Sequence, residues 1–111
     1  MSFPKKHRLN ASEKYATHLR KMGITASTSL LRARYLLKKE GESKFAVTIG
    51  KKISKRATVR NRLRRRIHEG VLGALSNTLH VDMIIYPTKE SAEESIKKIK
   101  EEISSLFNKI Q

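Results

Sequence analysis

Between Lys51 and Arg66 nine of sixteen residues are Lys or Arg and none is acidic. Through the same stretch and just beyond it, Val59, Leu63, Ile67 and Val71 recur every four residues. This combination constrains the fold more than any other feature of the chain. A four-residue apolar repeat buries one stripe of a helix, predicted here from about Thr58 to Leu75. The other faces must then carry dense positive charge with no acidic i,i+4 partner to relieve it. Such repulsion costs stability unless an anionic partner offsets it. Six of the nine are Arg, whose guanidinium grips phosphate with two parallel hydrogen bonds and stacks on bases, whereas Lys is mainly a point charge. On a helix, Arg62, Arg65 and Arg66 are i, i+3 and i+4 neighbours away from the apolar stripe. The loop Lys51 to Ala57 leads into the helix N-terminus, itself favourable for phosphate. Nucleic-acid contact is therefore expected here, against the blander reading of a solvated helix face.

The flanking sequence supplies the rest of a small α+β domain. Ser12 can cap a first helix from about Glu13 to Lys21, with Tyr15 and Leu19 four apart on one face and Gly23 closing it. A strand is predicted from about Ser29 to Lys38, with Arg32 and Arg34 sharing one face. Lys39 to Ser43 reads as a turn, Phe45 to Ile49 as a strand, and Val81 to Tyr86 as a strand ended by Pro87. A further short strand fits between Gly23 and Ser29. Gly70 and Gly73 weaken the second half of the Arg-rich helix. The last helix is expected from near Ser91, because Ala92, Ile96, Ile99, Ile103, Leu106 and Ile110 step by four and three. The order is α-β-β-α-β-α, with residues 1–111 as a single domain.

Charge is concentrated before the last helix. Residues 89–111 carry five Lys and five Glu, so the preceding residues carry the whole net charge of +15. The last helix reads as a core stripe with a solvated, salt-bridged face and is given no binding role. The chain has no cysteine, which excludes disulfides, thiolate metal sites and thiol nucleophiles. No stretch approaches the roughly 18 apolar residues of a membrane span, and the basic start from Met1 to Arg8 has no apolar run after it. A soluble, cytoplasmic protein without membrane contact is the expectation. RNA and DNA both remain open at this point, although helix-turn-helix spacing, zinc ligands and zipper heptads are absent.

The run FAVTIGKKISKRATVRNRLRRRIHE, Phe45 to Glu69, resembles the protein subunit of bacterial ribonuclease P. Its centre, Arg60-Asn61-Arg62-Leu63-Arg64-Arg65, is similar to that family's RNR signature followed by a branched residue and two basic ones. Lys51-Lys52, and the spacing of Arg8-Leu9 to Tyr15, fit as well. The resemblance implies an α/β sandwich in which a mixed sheet of about four strands packs with three helices. It also implies a left-handed β-α-β crossover through the Arg-rich helix, against the right-handed rule that holds in about 98% of cases.

Function is implied by the same route. Members of the family join a catalytic RNA that removes 5′ leaders from precursor tRNA, using Mg²⁺ held mainly on the RNA. Lys51, Lys52, Lys55, Arg56, Arg60, Asn61, Arg62, Arg64, Arg65 and Arg66 would face the RNA subunit. Tyr15, Leu19, Arg32, Arg34 and Tyr35 would line a cleft for the single-stranded leader. Tyr15 and Leu19 stand where many relatives carry two Phe, so this platform is less aromatic. No obligate protein partner is expected. The alternative is a purely structural RNA-binder, such as a ribosomal protein.

Catalysis by the chain itself is not expected. Metal-assisted phosphodiester cleavage needs carboxylates converging on cations. Outside the last helix Glu13, Glu40, Glu42, Glu69 and Asp82 are scattered. His7, His18, His68 and His80 show no motif spacing for metal-free acid-base work. Neither a catalytic residue nor a metal ligand is assigned.

Overall fold

The computed structural model describes residues 3–9, 14–76 and 78–110. The elements are α1 (Lys14–Met22), β1 (Ile24–Ser27), β2 (Leu31–Leu37), β3 (Lys44–Val47), α2 (Ala57–Ala74), β4 (Val81–Pro87) and α3 (Ile96–Ile110). Short 3₁₀ turns cover Lys5–His7 and Lys89–Glu93. The Ser12 cap and the Glu13 helix start lie outside the described residues. The short strand expected between Gly23 and Ser29 is β1.

The four strands form one mixed sheet in the order β1-β2-β4-β3. β1 pairs antiparallel with β2, and β2 with β4. β3 runs parallel to β4, so α2 is the crossover between them. β4 is an inner strand, which explains its apolar run Met83-Ile84-Ile85: Met83 and Ile85 face one layer of helices, and Ile84 the other. The turn between β2 and β3 falls where Lys39 to Ser43 is expected, with Gly41 at a φ of 93° that other residues rarely adopt.

The main core lies between the sheet and the α2–α3 layer. Leu63, Ile67 and Val71 of α2 meet Ile99, Ile103 and Leu106 of α3 over Leu31, Ala33, Phe45 and Met83. Val59, expected in the same stripe, is only partly buried because it sits near the helix entrance. Gly70 is there for packing: a Cβ on it would lie 2.5 Å from the Ile103 Cδ1. The residue read as a helix weakness is the point where α2 and α3 approach. The N-terminal segment covers the outer edge of β3 through an Arg8–Phe45 bridge, and buries Phe3 against the Phe45 and His68 rings.

The last helix starts later than its periodicity predicts. Residues 89–93 form a 3₁₀ turn, Glu94 is extended, and α3 begins at Ile96. Ser95 explains the restart, since its hydroxyl accepts the Lys98 N–H at 3.2 Å as a helix cap. Ala92 keeps its place in the core from the 3₁₀ turn. Among the charges expected in solvent, Glu102 is instead buried and bonded to the β1–β2 turn. No helix among the described residues is long and apolar enough to cross a membrane.

Candidate nucleic-acid interface

α2 separates its two tasks by face. Leu63 and Ile67 are buried, while Asn61, Arg62 and Arg65 are exposed. Lys51, Lys52, Lys55 and Arg56 are exposed on the entering loop. This loop is not slack: Ile53 N–H donates to the Gly50 carbonyl, and the Ile53 side chain packs against the main core. Arg56 is the N-cap of α2 without a side-chain capping bond, and the first turn has no acid. The free N–H groups of that turn and the adjoining cations therefore add to one positive potential.

The arginines expected to face RNA divide into two groups. Arg60 donates to the Ser54 carbonyl at 2.9 Å and ties the loop to the helix. Arg66 donates to the Glu94 carbonyl at 2.5 Å and fastens α2 to the break before α3. Both are half-buried, as is Arg64. Arg62 and Arg65 make no side-chain hydrogen bond or ion pair among the described residues, and their guanidinium groups lie in solvent.

The opposite face of the sheet carries α1. Ala16 and Leu19 pack there on Ala46 and Ile84, with Leu36 and Tyr86 at the margin. α1 leaves uncovered the end of the sheet where Ser27 pairs with Arg32 and Arg32 with Tyr86. Val47 pairs with Ile85, and Thr48 N–H donates to the Ile85 carbonyl, so Thr48 comes beside Tyr86. The register thus aligns Ser27, Arg32, Tyr86 and Thr48 across four strands. Hydroxyls, one guanidinium and one aromatic ring form the floor of a groove with α1 as its wall.

Three of the five expected cleft residues are placed otherwise. Leu19 is completely buried beneath α1 and anchors the wall from below. Tyr35 points to the main core, because it alternates with Arg34 and shares the face of Leu31 and Ala33. Arg34 is on the groove side, but its guanidinium is committed to neighbouring acceptors. It donates to the Arg20 and Lys21 carbonyls at 2.7 and 3.2 Å and to Thr25 Oγ1 at 2.7 Å. Arg32 and Tyr15 remain available, with Tyr15 40% exposed on α1.

Tyr86, Thr48 and Ser27 share this groove with Arg32 although the sequence reading gives them no role. The signal existed: Tyr86 lies an even number of residues from Ile84, hence on the α1 face. Using it required the pairing register, which no single strand reveals.

Asp82 is a buried charge at the end of β4 opposite Tyr86. Lys38 Nζ lies 2.9 Å from its Oδ1, a close ion contact without a well-aligned hydrogen bond. Loss of hydration and the Asp82 carboxylate, which accepts the phenol's hydrogen bond, push the Tyr15 hydroxyl up to about 12. Two-fifths of Tyr15 stays exposed, so the carboxylate is the contact that matters for its orientation. Among the described residues no three His, Asp or Glu side chains converge on a space for a metal ion.

An arginine-faced helix on one side and a polar, aromatic sheet groove on the other mark a small, basic α+β protein. The family model described as Ribonuclease P matches residues 3–111, and the chain belongs to that family. The ribonuclease P protein component of Synechococcus elongatus is 40% identical over 76 residues, 65% of this chain and 62% of that protein. The matched part thus spans less than two thirds of the relative. The component from Synechococcus sp. strain RCC307 is 61% identical over 33 residues, 30% of this chain and 26% of that protein. The fold matches the Staphylococcus aureus RNase P protein with a TM-score of 0.82 at 18% identity, covering 96% of this chain and 97% of that one. The Thermotoga maritima RNase P protein gives 0.78 at 19% identity, covering 95% and 98%.

Proposed function

We propose that this chain is the protein subunit of ribonuclease P, acting with a catalytic RNA to remove the 5′ leader of precursor tRNA. The observation that carries the reading is the division of the molecule into two unlike RNA surfaces. The loop Lys51–Arg56 and the face bearing Asn61, Arg62 and Arg65 have the charge and guanidinium geometry for a folded RNA backbone. The groove of Ser27, Arg32, Thr48 and Tyr86 has what a single strand needs: a ring to stack on, one cation for phosphate and hydroxyls for base or sugar edges. A structural RNA-binder needs the first surface and has no use for the second.

In this mechanism the RNA performs the hydrolysis with Mg²⁺, and the chain contributes binding energy. Holding the leader beside the RNA subunit joins two weak contacts into one oriented complex. Cations on α2 also lower the repulsion between RNA segments that must approach each other. The test is reconstitution: purified protein is mixed with a ribonuclease P RNA at low Mg²⁺, and 5′ processing of precursor tRNA is followed. Stimulation of cleavage is expected. Absence of stimulation by a correctly folded sample would favour the structural RNA-binder.

A further inference from the structure

We infer that Arg34 is a positioning residue for the leader groove: its guanidinium fixes α1, the groove wall, without itself touching RNA. The inference rests on the groove reading above and adds to it the device that sets the groove's shape.

The described part of α1 has nine residues, and a helix this short depends on tertiary contacts to hold its place. Among the described residues it is the only helix on its side of the sheet, where its Ala16 and Leu19 are buried together with Leu9. Two apolar anchors near its axis and the Tyr15–Asp82 bond at its start hold the helix down, but none of them fixes its C-terminal end. The last carbonyls of a helix have no partners within it and carry partial negative charge. Arg34 meets two of them, at Arg20 and Lys21. Its other terminal nitrogen bonds Thr25 Oγ1, and Thr25 is the cross-strand partner of Arg34 itself. One side chain therefore joins α1, β1 and β2. Its Nε is buried, so the base of the guanidinium is covered while its terminal nitrogens make their bonds at the surface.

The hydrogen bonds point in two directions from a planar fork. Lysine, with a single ammonium on a flexible stem, does not reproduce them. A phosphate contact would also lose part of its grip with Lys, so positioning is separated from it by two further readouts: a direct contact leaves Thr25→Val silent and amide exchange in α1 unchanged.

The test uses the reconstituted holoenzyme and two ligands, precursor tRNA with a leader and the same tRNA without one. Arg34→Gln, Arg34→Lys and Thr25→Val are compared with Arg32→Ala and Tyr86→Ala in the groove floor. Arg34→Gln is expected to reduce the affinity gain from the leader about tenfold, the scale of hydrogen bonds to a charged group. Arg34→Lys should rescue little of it, and Thr25→Val should cause a smaller loss of the same kind. Affinity for the RNA subunit stays unchanged, and amide hydrogen exchange speeds up in α1 but not in α2. Full rescue by Arg34→Lys would overturn the inference in favour of direct phosphate contact. An equal loss for both tRNAs, with weaker assembly, would overturn it in favour of general destabilisation. If only the floor variants lose the leader's contribution, the groove reading stands and the role of Arg34 falls. If neither set does, the groove reading falls and takes this inference with it.

Discussion

The Glu102 carboxylate on α3 accepts the Leu30 backbone N–H at 2.8 Å. The same oxygen accepts the Ser29 hydroxyl at 2.7 Å, so a helix side chain closes the β1–β2 turn. Burial alone would raise this carboxyl. The bonds from Ser29, Thr28 and Leu30 and the charge of Lys98 outweigh burial and hold it below the ordinary glutamate value. A depressed folded-state pKa contributes stability above the unfolded value, and that stability is lost as pH falls through the folded value. Glu102→Ala should therefore cost about 1–3 kcal/mol at neutral pH. The wild-type advantage should shrink below about pH 4.3. Denaturant melts of both proteins across that range check the prediction.

The two groups of arginines should separate in experiment. Arg62→Ala and Arg65→Ala should each lower the salt slope of RNA-subunit binding by about one, because each removes one phosphate contact. Neither should alter the melting temperature appreciably. Arg66→Ala removes the bond to the Glu94 carbonyl and should cost about 1–2 kcal/mol of stability. Binding titrations over a salt series, paired with thermal melts, distinguish the two classes. A salt slope unchanged in both Arg62→Ala and Arg65→Ala would remove their phosphate role.

Gly70 and Ile103 should be thermodynamically coupled. Gly70→Ala gains about 1 kcal/mol of helix propensity, but its Cβ would lie 2.5 Å from the Ile103 Cδ1. Ile103 is fully buried and has little room to turn away, so overpacking offsets the gain. Ile103→Val deletes the obstructing methyl. The double variant should be more stable than the sum of the single changes by about 1 kcal/mol. A double-mutant cycle in urea measures it, and strict additivity would show that α2 and α3 adjust freely at this crossing.

The elements were legible in the sequence where one periodicity dominated. The α2 stripe, the two outer helices and the central β4 each declare their face with local residues. What was not legible depended on partners far away in sequence. Tyr35 and Arg34 are adjacent, and alternation separates them, but only the position of α1 shows which face is the groove. Arg60 and Arg66 look like their neighbours in a run of cations, and become structural only because the Ser54 and Glu94 carbonyls lie within reach. Glu102 sits between Ile99 and Ile103 on the buried side of α3, a spacing that marks it as an exception among the solvated acids. The register then supplied what alternation lacked, since it sets Tyr86 beside Arg32.

That pairing leads to the last prediction. If leader nucleotides stack in the groove, Tyr86→Ala should weaken binding of leader-bearing precursor by roughly 1 kcal/mol or more. Affinity for mature tRNA should not change. Tyr86→Phe keeps the ring and should retain most of the binding, unless the hydroxyl reads a base edge. Leu19→Ala should behave differently. Leu19 is fully buried beneath α1, and its truncation should cost about 2–5 kcal/mol of stability through the cavity it leaves. Its effect on leader binding should follow from loosening of the wall, so it should appear together with a much larger drop in melting temperature than Tyr86→Ala causes from the margin of that core. Leader-dependent affinities and melts measured on the same samples decide the matter. A Tyr86→Ala protein that binds precursor with wild-type affinity would remove the aromatic ring from the groove's function.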